Sequence, residues 1–209
     1  MKKILAIGAH PDDIEFGCGG TLLKLSDSGA KIFMYVLTKG DFGGNPEIRE
    51  KEQIKSASII GANLIWGGFK DTEVFLNREL IENVEKVIKK VSPDLIFVNY
   101  YKDTHQDHIA VSNAVVTAAR YINNFLFYET PTSIDFSPTI FNDIGDVFKN
   151  KISLLKAHFS QINKTRVKNL SIIESAQSTA IFRGYQGRMK YCESFMAQRI
   201  MFDILCSKK

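Results

Sequence analysis

The sequence predicts a Rossmann-like, three-layer α/β domain with a mostly parallel sheet and an irregular C-terminal part. Three observations carry that expectation. Short, nearly continuous apolar runs, bounded by glycine or polar residues, recur through the first half of the chain, as expected of strands buried on both faces. Segments of helical period lie between them. Such alternation implies right-handed crossovers and parallel pairing. A length of 209 residues fits one domain, 1–209, and no repeat, linker or low-complexity tract divides it.

The elements follow in order. Strands are expected at KKILAIGA (2–9), KIFMYVLT (31–38), NLIWGG (63–68) and DLIFVNY (94–100). A helix over 18–29 stops at Ser28-Gly29, and one over 46–60 stops at Gly61. The helix over 78–91 puts Leu80, Ile81, Val84, Val87, Ile88 and Val91 on one face. A fourth, 107–122, buries Ile109, Ala114, Val115, Ala118 and Ile122. Beyond it, NFLFYET (124–130) reads as a strand, 145–161 and 166–182 each contain a helix, and 189–202 holds one or two strands.

Composition narrows the function classes. The net charge of +4 comes from dispersed cations, not the basic stripe that nucleic acid requires. Three cysteines without a CxxC spacing point to reduced thiols in the cytoplasm. The lysines and short apolar run at the N-terminus reach charged residues too soon for a signal peptide. No apolar run approaches the roughly 20 residues of a membrane span.

Chemistry concentrates in two loops. HPDDIE (10–15) ends the first strand and THQDH (104–108) follows the fourth. Ligands of an open parallel sheet bind outside the carboxyl ends of its strands. If the two loops meet there, they supply His10, Asp12, Asp13, His105, Asp107 and His108. Two imidazoles and a carboxylate suit zinc with a position left for water, and a divalent cation would balance the crowded carboxylates. Pro11 forces a turn, so His10 and Asp13 can converge. Asp12 is then free to act as general base. His105 and His108, three apart at a helix start, face the same way if both are helical. Spacing does not say which of them binds metal. Asp107 suits a first helical turn and can hold the imidazole of His105.

Bland readings compete. HPDD is often an ordinary turn and HxxH an ordinary helix start. Three of the four histidines fall in these two loops, however, which favours a joint site. The fourth, His158, reads as a core histidine. FGCGGT (16–21) lacks the lysine of a phosphate-binding loop. Its glycines suit close helix packing, and Cys18 a packed thiol.

The two loops, in this order, resemble the PIG-L/LmbE-like family of metal-dependent N-deacetylases. AHPDDIE (9–15) and HQDH (105–108) match its two principal motifs. PEIREKE (46–52), Asp71 in GGFKDTEV, KAHFSQ (156–161) and YCESF (191–195) add weaker echoes. The resemblance implies His10, Asp13 and His108 as metal ligands and Asp12 as general base. It implies His105 as the protonated group that stabilises the oxyanion, oriented by Asp107, with Arg49 and Asp71 contacting a sugar. The implied reaction is zinc-dependent removal of the N-acetyl group from a small N-acetylglucosamine-type substrate, with iron(II) an alternative ion. Relatives of this kind are often homo-oligomeric. The segment YYKDT (100–104) lacks the Tyr or Arg of some thiol-pathway members. Phe42, Trp66, Tyr101 and Tyr185 are candidate walls of an acceptor pocket. The rivals are an inactive carbohydrate-binding relative and a receiver-like signalling module. The latter needs a phospho-accepting aspartate after a later strand, for which Asp41 in TKGDFGG is poorly suited.

Overall fold

The computed structural model describes residues 1–201. Five parallel strands come first: β1 (Lys3–Gly8), β2 (Lys31–Thr38), β3 (Asn63–Phe69), β4 (Leu95–Asn99) and β5 (Phe125–Tyr128). Two more, β6 (Ile140–Asp143) and β7 (Cys192–Arg199), complete a sheet of order β3-β2-β1-β4-β5-β7-β6. β7 runs antiparallel to both its neighbours. The helices are α1 (Asp13–Asp27), α2 (Pro46–Ile60), α3 (Arg78–Val91), α4 (Gln106–Ala118), α5 (Phe148–Ala157) and α6 (Ile172–Gly187), with a 3-10 turn at Phe159–Gln161.

Alternation along the strands separates two cores. Ile4 and Ala6 of β1 pack with α1, α2, α5 and α6, whereas Leu5 and Ile7 pack with α3 and α4. These are the three expected layers. The chain leaves β1 for β2 on one side and later places β4 on the other. The order therefore reverses between β1 and β4, which opens a crevice at their carboxyl ends.

Several boundaries differ from expectation. α1 starts at Asp13, not at residue 18. Gly17, Gly19 and Gly20 lie inside this helix and pack closely, as expected. A Cβ on Gly17 would come within 2.0 Å of the Tyr128 ring, so close packing, not a turn, demands glycine there. α6 runs later than the expected 166–182, because Ser171 and Glu174 form a capping box. β7 is a single strand, and residues 202–209 lie outside the described part. β6 was not anticipated. Gly61 does cap α2, at φ 73°. No helix among the described residues is long and apolar enough to cross a membrane.

Candidate active site

The exit of β1 is pinned before it reaches the site. Thr38 at the end of β2 donates its N–H and its hydroxyl to Ala9 O, both at 3.0 Å. Asn99 Oδ1, at the end of β4, accepts the Ala9 N–H at 3.3 Å and the Tyr128 hydroxyl at 3.2 Å. The HPDD turn then closes on itself, with His10 N–H donating to Asp13 Oδ2 at 2.9 Å. Asp13 and Glu15 open α1, where the helix dipole favours anions. Asp12 precedes them with φ 87°, a left-handed conformation uncommon outside glycine.

The two loops meet. His10 Nδ1 lies 3.3 Å from His108 Nε2. Asp13 Oδ1 is 3.3 Å from His108 Nε2, and its Oδ2 is 3.7 Å from His10 Nδ1. All three side chains are nearly buried. Behind His10, Nε2 faces Asp71 Oδ1 at 2.9 Å and Asp107 Oδ2 at 3.1 Å. Behind His108, Nδ1 faces Asp103 Oδ2 at 3.2 Å. A carboxylate behind an imidazole places the proton on the facing nitrogen. With those outer nitrogens protonated, Nδ1 of His10 and Nε2 of His108 face each other and Asp13, and an ion there would replace the proton they otherwise share. Three anionic or lone-pair groups at one point suit a cation, so the donor set fits zinc or a similar divalent ion. Burial lowers the proton affinity of both histidines. The flanking carboxylates outweigh it, holding His10 well above its ordinary value and His108 up to about 9.

Three expectations about neighbouring residues are corrected. The carboxylate of Asp107 holds His10, not His105, while accepting the Thr72 N–H at 2.8 Å. Only the backbone N–H of Asp107 reaches His105, donating to Nδ1 at 3.3 Å. His105 is the N-cap of α4 rather than part of its first turn. Its ring still stacks on His108, with centroids 4.7 Å apart. Burial, with His10 and His108 adding to it, lowers its pKa, which favours its neutral form over the protonated one expected. With Nδ1 accepting a hydrogen bond, its proton sits on Nε2.

Asp71 and Arg49 both border the cleft while holding contacts within the protein. Asp71 accepts the Phe42 N–H at 3.0 Å with one oxygen and faces His10 with the other. Arg49 donates to Gly40 O at 2.8 Å and to Pro11 O at 2.9 Å, and its Nη2 lies 3.7 Å from Asp12 Oδ2. Asp12 itself is part exposed at the cleft. Burial raises its pKa to about 6 against the pull of Arg49 and His158, with Asp13 and Glu15 adding to the rise.

The cleft widens into a cavity of about 970 Å³ bordered by His10, Asp12, His105 and His108 at one end and by Gln161, Lys164 and Arg166 elsewhere. Of the four aromatic candidates, Phe42 borders this cavity. Trp66 packs against the core, Tyr101 packs at a tilt against Tyr100, and Tyr185 borders a separate groove. Cys18 is a buried free thiol within the core, as expected. Sequence reading missed Asp103, which also accepts the His105 N–H at 2.8 Å and the Thr130 hydroxyl at 3.0 Å. Its signal was an aspartate two residues before His105, inside a stretch read only for what it lacked.

Comparisons with known proteins agree with this arrangement. The family described as GlcNAc-PI de-N-acetylase (PIG-L) matches residues 5–119, a span that holds both loops. The uncharacterized deacetylase YaiS of Escherichia coli (strain K12) is 38% identical over 169 residues, 76% of this chain and 91% of that protein. The diacetylchitobiose deacetylase of Thermococcus kodakarensis is 30% identical over 188 residues, 77% of this chain and 70% of that one. The solved N,N'-diacetylchitobiose deacetylase from Pyrococcus horikoshii, complexed with its inhibitor MPG, superposes with a TM-score of 0.84 at 25% identity. That superposition covers 98% of this chain and 88% of the other. With the family matched over more than half its length, the chain belongs to the PIG-L family of de-N-acetylases.

Proposed function

We propose that the protein is a metal-dependent hydrolase that removes the N-acetyl group from a small N-acetylglucosamine-type sugar or glycoconjugate. One observation carries the reading. Two imidazole nitrogens and the Asp13 carboxylate converge on one point at the cavity wall, with a second carboxylate, Asp12, lining the same cavity. His10, Asp13 and His108 would hold the ion, zinc or iron(II). Such an ion supplies Lewis-acid polarisation of an amide carbonyl and acidifies water.

The chain's own residues do the rest. Asp12, with a pKa raised to about 6, is placed to take a proton from the attacking water at neutral pH and return it to the leaving nitrogen. His105, neutral with its proton on Nε2, donates a hydrogen bond to the developing oxyanion, an effect typically worth about 3–4 kcal/mol. Asp107 and Asp71 keep the His10 proton on Nε2, and Asp103 keeps that of His108 on Nδ1. The cavity exceeds what one monosaccharide needs, so a substituent on the sugar has room. The buried free thiols Cys18 and Cys192 suit a cytoplasmic setting.

The test is acetate release from a panel of N-acetylated sugars, free, glycosidic and phosphorylated, by protein loaded with zinc. We expect release from at least one member, abolished by chelation and restored by added metal. A zinc-loaded preparation that releases acetate from none of them would refute the reading.

A further inference from the structure

Helix α2 packs Ala57 and Ile60 into the core but buries polar groups along the rest of the same face. Arg49, Gln53 and Ser56 are buried, whereas Ile48, Ile54 and Ile59 are about half exposed. A helix packed on a core normally does the reverse, because burying polar groups is costly unless they are paired. Here the pairing is specific and long-range. Arg49 donates to Pro11 O at 2.9 Å and to Gly40 O at 2.8 Å. Gln53 donates to Glu15 Oε1 at 2.7 Å, and its own oxygen accepts the Asp12 N–H at 3.4 Å. Glu15 Oε1 also lies 3.3 Å from His158 Nε2. One turn along, Glu52 accepts both the N–H and the hydroxyl of Ser160 at 2.7 Å, tying α2 to the turn that follows His158.

These links converge on the backbone of Asp12. A non-glycine residue at positive φ is uncommon, and a strained backbone persists where its surroundings over-determine it. Glu15 and Gln53 are completely buried and His158 is nearly so, which excludes them from touching substrate. Arg49 holds the residue before Asp12, and Gln53 holds Asp12 itself.

We propose that Gln53 and Arg49, backed by the Glu15–His158 pair, are positioning residues that keep Asp12 in its left-handed turn and aim its carboxylate into the cleft. The inference rests on reading Asp12 as the base. It explains why one face of α2 retains polar groups that an apolar face would replace at lower cost.

The test compares the parent with Gln53→Met, which keeps length and volume but cannot bridge Glu15 to Asp12, and with Arg49→Lys, which loses the two-pronged donation. Each is assayed as turnover per bound zinc and crystallised. We expect kcat per zinc to fall at least about tenfold, as a displaced catalytic group should cause. KM and zinc content should stay near parental values, and Asp12 should leave positive φ or split between conformers. A role confined to folding would lower the melting temperature and leave kcat per zinc unchanged. Parental kcat with Asp12 undisturbed in the variants that fold overturns the proposal, and so does a loss confined to KM, which would make Arg49 a substrate contact. Absence of acetate release by the parent would instead sink the deacetylase reading, and the crystallographic comparison would still decide whether these residues hold Asp12.

Discussion

At the scale of single residues, the site is governed by which nitrogen of each histidine faces which carboxylate. Asp107 lies behind His10, so Asp107→Asn should act through the metal. Loss of such a partner typically weakens metal affinity about 10–100-fold, measurable by competition with a chelating dye. Were Asp107 acting on His105, affinity would hold and kcat alone would fall. As the proposed base, Asp12 should set the acid side of the pH profile. It works as a carboxylate, so activity is present above its pKa and lost as pH falls through it. Burial raises that pKa to about 6, and a bound cation pulls it down, so the acid limb of kcat/KM should lie at or below about pH 6. A limb well above that value would remove Asp12 from the role. Sequence alone marked His10, Asp12, Asp13, His105, Asp107 and His108, because charged residues at a strand end need a reason. It did not show the pairing of Asp103 with His108 or Asp107 with His10, because those contacts depend on side-chain direction rather than spacing.

Among the elements, α1 shows how packing overrides propensity. Gly17 lies inside the helix, where alanine ordinarily gains about 1 kcal/mol over glycine. Here a Cβ would strike the Tyr128 ring at 2.0 Å. That ring cannot swing aside freely, since its hydroxyl donates to Ile7 O at 2.8 Å. Gly17→Ala should therefore destabilise the fold by about 1–3 kcal/mol, as overpacking does. A urea midpoint at or above the parent's would contradict this. Disturbing Tyr128 should also loosen Asn99, and with it the Ala9 N–H that leads into the site. Periodicity located β1 to β5 and α2 to α4 because their apolar spacing is local information. The start of α1 at Asp13 was missed because its N-cap, Asp12, makes no side-chain cap hydrogen bond and the HPDD stretch carries no apolar period. The start of α6 was legible in the Ser171–Glu174 spacing, but the reading did not use it.

For the whole molecule, the topological switch between β1 and β4 brings together His10 and His108, 98 residues apart in sequence. An ion held there ties the first loop to the second and binds only the folded state. Zinc should therefore raise the unfolding temperature, with a stabilisation of about 4 kcal/mol at a thousandfold excess over Kd. Chelation should reverse it. Unfolding that ignores zinc would argue against a shared centre. The His108→Ala variant should lose this response, whereas Asp12→Ala should keep it and lose turnover by about a hundredfold or more.

The sequence by itself determined the layered α/β architecture, the two loops that carry the chemistry and the family they resemble, since hydrophobic period and motif spacing are properties of neighbouring residues. Only the tertiary structure decided that Asp107 serves His10, that burial disfavours a charge on His105, and that the polar face of α2 grips the turn at Asp12. Those facts arise from contacts between segments 35 to 100 residues apart, where direction and burial, invisible in a linear pattern, set the chemistry.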